Sequence, residues 1–212
     1  MRLASLRLSW IALVVAWGLP VAAGATTLGF GCITNDSATD CGIGEAQLSV
    51  DVNDPGSGVE FLFHNVGSDA VKVEGVYFDD GTLLSIASIT SGPGVSFSQG
   101  ATPPELPGAN QASPPFMTTQ TFLADSDPSV SQNAVGPGEW LSVVFDLKSG
   151  GTFSDVLQDL TNGTLRVGVH AIAFASGGSE SLVSLPLGVP EPGALALLGL
   201  AVASLTLRQR RR

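Results

Sequence analysis

The run Trp140-Leu141-Ser142-Val143-Val144-Phe145-Asp146-Leu147 places Leu141, Val143, Phe145 and Leu147 on one side and Trp140, Ser142 and Asp146 on the other. A period of two is the signature of a half-buried strand. Trp140 falls opposite the more apolar side, so it is either exposed or part of the core of a second sheet. The same alternation recurs on both sides of this run. Leu48, Val50 and Val52 alternate within 47–52, and Val59, Phe61 and Phe63 within 59–63. Residues 165–174 alternate through Leu165, Val167, Val169, Ala171 and Ala173, and the turn Ala175-Ser176-Gly177-Gly178 leads into 181–187. Runs 71–78 and 82–89 flank Asp79-Asp80-Gly81, which reads as a hairpin turn because Asp-Gly suits a turn with positive φ.

One segment, 154–160, has helical spacing, with Ser154 as cap, Val156, Leu157 and Leu160 as its apolar face, and Asn162-Gly163 as its end. Many short strands separated by Gly and Pro predict an all-β fold, an antiparallel β-sandwich with one short helix. Its expected core includes Leu48, Val50, Phe61, Phe63, Leu141, Val143, Phe145, Leu165, Val167 and Val169. Residues 91–115 are rich in Gly, Pro and Ser, and a loop this long is either functional or poorly ordered.

The ends of the chain read differently. Arg2 and Arg7 precede an apolar run over residues 8–19, Pro20 and the small residues Ala22, Ala23, Gly24 and Ala25, the three parts of a secretory signal peptide over 1–25. The folded domain is therefore expected at 26–187, long enough for one core. It holds three cations, Lys72, Lys148 and Arg166, against eighteen carboxylates, a net charge of about −15. Such a surface repels phosphate backbones, which excludes nucleic acid as a partner. The two cysteines, Cys32 and Cys41, reach an oxidising compartment on export and are expected to pair. The loop they would close stabilises by about 2.5 kcal/mol. A metal site would need further ligands, and the two histidines, His64 and His170, are far away in sequence.

At the other end, Val189-Pro190-Glu191-Pro192 precedes an uncharged run over 193–207 and then Arg208, Arg210, Arg211 and Arg212. A helix of that run is roughly 22 Å long, shorter than a ~30 Å hydrocarbon core, and the arginines extend it by snorkelling and hold it tail-inward. This order over 188–212 resembles the PEP-CTERM sorting domain of Gram-negative bacteria. The resemblance implies transient recognition by an exosortase, an integral-membrane cysteine transpeptidase. It implies a membrane-held precursor, and a destination at the cell surface, outer envelope or extracellular matrix of cells that make exopolysaccharide. Val76-Tyr77-Phe78-Asp79-Asp80-Gly81, Leu165-Arg166-Val167-Gly168-Val169-His170 and Gly177-Gly178-Ser179-Glu180-Ser181 are similar to ectodomains that accompany this signal, a resemblance that implies a β-sandwich but supplies no activity.

Catalytic signatures are thin. There is no Gly-x-Ser-x-Gly elbow, and both histidines lie in strand patterns, so no catalytic residue is assigned. No cofactor is expected, with calcium the one alternative. Asp51-Val52-Asn53-Asp54 starts like a calcium loop but meets Pro55 at the fifth position and Leu62 at the last. Asp125-Ser126-Asp127 lacks the glycine turn. The expected function is an exported, non-catalytic envelope or matrix protein associated with exopolysaccharide or biofilm. A carbohydrate- or calcium-binding surface module is the alternative, and a secreted hydrolase ranks below both.

Overall fold

A computed structural model describes residues 26–81, 83–124 and 130–188. The strands are β1 (Thr26–Cys32), β2 (Leu48–Asn53), β3 (Val59–Asn65), β4 (Lys72–Asp79), β5 (Leu84–Ser91), β6 (Phe97–Gln99), β7 (Gln120–Ala124), β8 (Trp140–Leu147), β9 (Arg166–Ile172) and β10 (Glu180–Ser184). The helices are α1 (Ala38–Gln47), α2 (Val130–Asn133) and α3 (Phe153–Asn162). The expected signal peptide and sorting span lie outside the described residues.

The strands form one antiparallel sheet in the order β5-β8-β3-β2-β1-β10-β9-β4-β7-β6. It curls at β1, whose two halves face different neighbours. Thr26–Gly29 pairs with β2, with Leu28 opposite Val50. Phe30–Cys32 pairs with β10, with Phe30 opposite Ser184. The curl brings β5-β8-β3-β2 over β9-β4-β7-β6, giving the sandwich that alternation predicts.

All ten expected core residues are buried, and they join Val76, Phe78, Phe122 and Leu182 in one cluster between the sheets. Phenylalanine rings from both sheets meet edge to face at its centre. Phe78 of β4 lies 5.1 Å from Phe61 and 4.8 Å from Phe145, both on the opposite sheet. Edge-to-face pairs add about 1 kcal/mol each beyond the area they bury.

Asp79-Asp80-Gly81 does not make a hairpin. β4 pairs with β9 and β7, while β5 pairs with β8 on the other sheet. The turn is a corner that carries the chain from one sheet to the other, with Gly81 at φ +57°. The buried Asp80 carboxylate holds the corner. It accepts from the Leu84 amide at 3.0 Å and from the Thr119 hydroxyl, and Lys148 lies 3.5 Å away. The turn chemistry of Asp-Gly is local, and it does not determine which sheet receives the next strand.

The expected single helix is present as α3, but Thr152 caps it in place of Ser154. Thr152 accepts from the Asp155 amide and the Asp155 carboxylate accepts from the Thr152 amide at 2.7 Å, a reciprocal capping box. Gly163 ends the helix at φ +77°. The Thr152 hydroxyl and then its amide hold the Asp155 carboxyl below the usual carboxylate range.

Two further helices correct the one-helix expectation. In α1, Gly42 and Gly44 weaken the helical signal, and the second packs closely, since a Cβ on Gly44 would sit 3.1 Å from Leu182 Cδ2. α2 is a single turn. Strands β1, β6 and β7 are further elements outside the expected set.

Val143 is fully buried between Phe61 and Ile89 of the flanking strands. Val143→Asp is expected to cost on the order of 4 kcal/mol through an unpaired buried charge. Denaturant unfolding followed by far-ultraviolet circular dichroism checks this.

Candidate functional site

The second sheet is covered on its outer face as well as its inner one. Tyr77, Gly168, Val183 and Gly31 stand in one row across β4, β9, β10 and β1. Gly168 leaves a slot between the larger neighbours, and a Cβ there would lie 2.8 Å from Leu106 and 3.1 Å from Phe116. Leu106, Ala112 and Phe116 fill the slot and bury Tyr77 and Val183 in a second small core. Burial, and then the Glu74 charge, push the Tyr77 hydroxyl up to about 12. The Gly/Pro-rich loop is therefore a third layer of the fold.

Arg166 clamps that layer. It stands directly opposite Asp79 across β9 and β4 and pairs with its carboxylate. It also donates to the carbonyls of Pro114 at 2.6 Å and Pro115 at 2.7 Å, and lies 5.3 Å from the Phe116 ring centre. One of only three cations in the domain thus fastens a loop against the sheet.

The next row along this face assembles three residues that no sequence motif joins. The His170 Nδ1 lies 3.2 Å from the Ser181 hydroxyl, and its Nε2 lies 3.8 Å from Glu74. A bulge between Val73 and Gly75 places Glu74 beside the histidine. A hydroxyl, an imidazole and a carboxylate in a line are the components of nucleophilic hydrolysis. Ser181, however, has no accessible surface. Burial pushes the His170 imidazole below its ordinary range and pushes the Glu74 carboxyl up. The sequence carried no signal for this trio, because its members come from three strands.

Cys32 and Cys41 form the expected disulfide, with Cα atoms 5.5 Å apart. It ties the end of β1 to α1. Next to it, the buried Glu180 carboxylate accepts from the amides of Asp36 at 3.2 Å and Ser37 at 2.6 Å and from the Thr34 hydroxyl at 2.5 Å. Glu180 lies close enough to both sulfurs to suggest a metal cluster. The sulfurs are consumed by the disulfide, so the carboxylate organises a loop here. A half-open groove of about 410 Å³ runs beside it, between Ile33, Pro114, Leu160, Asn162, Arg166 and Leu185.

The outer face of the first sheet is partly exposed among the described residues. Trp140 sits at its rim, 37% exposed, opposite His64. The Asp51 carboxylate accepts from Thr27 at 2.5 Å and lies 3.1 Å from His64 Nε2. Glu60 accepts from Asn53 at 3.0 Å and Ser142 at 2.6 Å. The Asp51–Asp54 stretch is largely strand and not a metal loop, and Asp79 and Asp80 are engaged as described. Asp125 and Asp127 lie outside the described residues.

The domain ends against itself. The Leu185 amide donates to Gly29 at 2.9 Å and the Leu187 amide to Leu160 at 3.3 Å, so the chain is held up to one residue before Gly188. From there, residues 188–212 match a family model described as the PEP-CTERM protein-sorting motif. The chain carries a PEP-CTERM sorting signal. This signal implies an exosortase-sorted, exported protein with a cell-surface or extracellular destination. Val189, Pro190, Glu191, Pro192 and Arg208, Arg210, Arg211 and Arg212 of this signal lie outside the described residues. No curated protein and no solved structure matches the chain.

His170 gives a pH test. An unfolded histidine takes up a proton near pH 6.5, whereas the folded one does so only at lower pH. The stability that depends on its neutral form is present above about pH 6.5 and is lost as the pH falls below that value. Wild type is expected to lose more stability than His170→Gln between pH 7.5 and 5.5. Urea midpoints measured across that range check this.

Proposed function

We propose that this PEP-CTERM protein is a non-catalytic component of the outer surface or extracellular matrix, associated with exopolysaccharide. The sorting signal at 188–212 carries this reading. The expected disulfide and the strongly acidic exported part agree with life outside the cell. The buried hydroxyl of Ser181 supports a structural role for the Ser181–His170–Glu74 row, since no substrate reaches a nucleophile without surface. A second reading, a surface module for neutral glycans, is favoured by Trp140 on the partly exposed face beside His64 and Asp51.

In this reading Pro190, Glu191 and Pro192 are a recognition element. The prolines remove backbone donors and hold the segment extended, with Glu191 presented between them. They sit at the outer water interface of the membrane, where a membrane-embedded transpeptidase meets them. The apolar run and the arginines hold the precursor until cleavage.

Glu191→Ala is expected to leave uncleaved precursor in the inner membrane of an exosortase-bearing host, with the domain folded normally. Immunoblots of membrane and released fractions measure this, and normal processing and release would refute the sorting role. Purified protein is also expected to turn over no common glycan, ester or peptide. Turnover that disappears in His170→Ala or His64→Ala would replace the non-catalytic reading with a hydrolase.

A further inference from the structure

Strand β5 forms one end of the sheet order, so its far edge is free among the described residues. Its pairing with β8 shows which groups are free. The Gly92 amide donates to Trp140 at 3.1 Å, and the register places Thr90 opposite Ser142 and Ser88 opposite Val144. Hydrogen-bonded pairs alternate along an antiparallel ladder, so Thr90 and Ser88 bond to β8. The amides and carbonyls of Ala87, Ile89 and Ser91 therefore point away from the sheet.

A bare edge invites another strand, and folded proteins normally block one with charge, proline, a bulge or a cover. Here the bulge between Leu84 and Ala87 disturbs only the first half of the strand. From Ala87 to Ser91 there is neither charge nor proline, and the charge-free stretch extends from Gly81 to Pro104. Strand β6, the edge of the other sheet, packs against β5 and belongs to the same stretch. On a domain with eighteen carboxylates and three cations, this flank lets two copies approach without like charges meeting. Glu139 and Asp146 stand near the two ends of the edge and not along it.

The strand is also complementary to itself. Antiparallel pairing centred on Ile89 sets Ile89 against its counterpart and Ala87 against Ser91, so each free amide meets a free carbonyl. Ser88 then faces Thr90, both exposed on the outer face, and hydroxyl pairs across strands are favourable. Ile89, half-buried at the inner face, loses its remaining contact with water.

We infer that β5 is a self-association edge, through which two copies of this chain pair antiparallel about Ile89 and join their first sheets into one. The assembly stands on the fold and not on the sorting signal, so it survives even if Glu191 has no role in processing.

Sedimentation equilibrium of the processed protein is the test. A reversible dimer is expected, and Ser88→Lys with Thr90→Lys should weaken it at least about tenfold while leaving the circular dichroism spectrum and melting temperature unchanged. Ser88→Cys with Thr90→Cys should give covalent dimers under mild oxidation, linked between position 88 of one copy and position 90 of the other. A wild-type protein that stays monomeric to about 1 mM overturns the inference. So does a dimer unaffected by the lysines, or the absence of the 88-to-90 crosslink. If the lysine variant does not fold, the crosslink decides.

Discussion

The ring of Phe78 touches Phe61, Phe63, Phe122 and Phe145, so it contacts side chains of both sheets at once. The next two residues inherit that position. Asp79 alternates to the opposite face of β4, where the register sets it against Arg166. Asp80 then falls at the corner and caps it. Core, loop clamp and sheet crossing thus follow from three consecutive side chains. Because the side-chain period of a strand is two, a slip of one residue would turn Asp79 toward the core and Phe78 toward the loop layer. The same slip would take Asp79 away from the Arg166 guanidinium that fastens that loop.

With so few cations, the domain satisfies its carboxylates in another way. Glu180 is held by two backbone amides and a hydroxyl, Asp51 by Thr27 and His64, and Glu60 by Asn53 and Ser142. Asp40 accepts from Ser176 at 2.5 Å, across more than a hundred residues of sequence. These are charge-to-dipole bonds of short range, and mobile salt screens them less than it screens exposed ion pairs. Hydroxyls and backbone amides thus supply partners that the three cations cannot.

How much of this was legible depended on whether the signal was local. Strands β2, β3, β8 and β9 announced themselves because each buries one face, and alternation reports that directly. β10 is buried on both faces, since Leu182 meets the main core and Val183 meets the loop layer. β1 escaped although Leu28 and Phe30 alternate, because only two large apolar residues, set between glycines, mark it. The loop layer escaped because Leu106, Ala112 and Phe116 follow no period, being spaced to fit the Gly168 slot. Asp-Gly marks a turn but not a hairpin, since the partner of the next strand is set by distant packing. The sorting signal is linear and could be read outright. The Ser181–His170–Glu74 row depends on register and a bulge, and no sequence spacing encodes it.

Among the described residues, the contact of β1 with β10 joins the two halves of the sheet, and it pairs the first of these strands with the last. The strands between them can pair in two separate groups, β5-β8-β3-β2 and β9-β4-β7-β6, before that contact exists. The Phe30 end of β1 finds its partner only when Glu180–Ser184 lies between β1 and β9. A contact between residues so distant in sequence is slow to form, so closing the sheet is the step that needs the whole described domain.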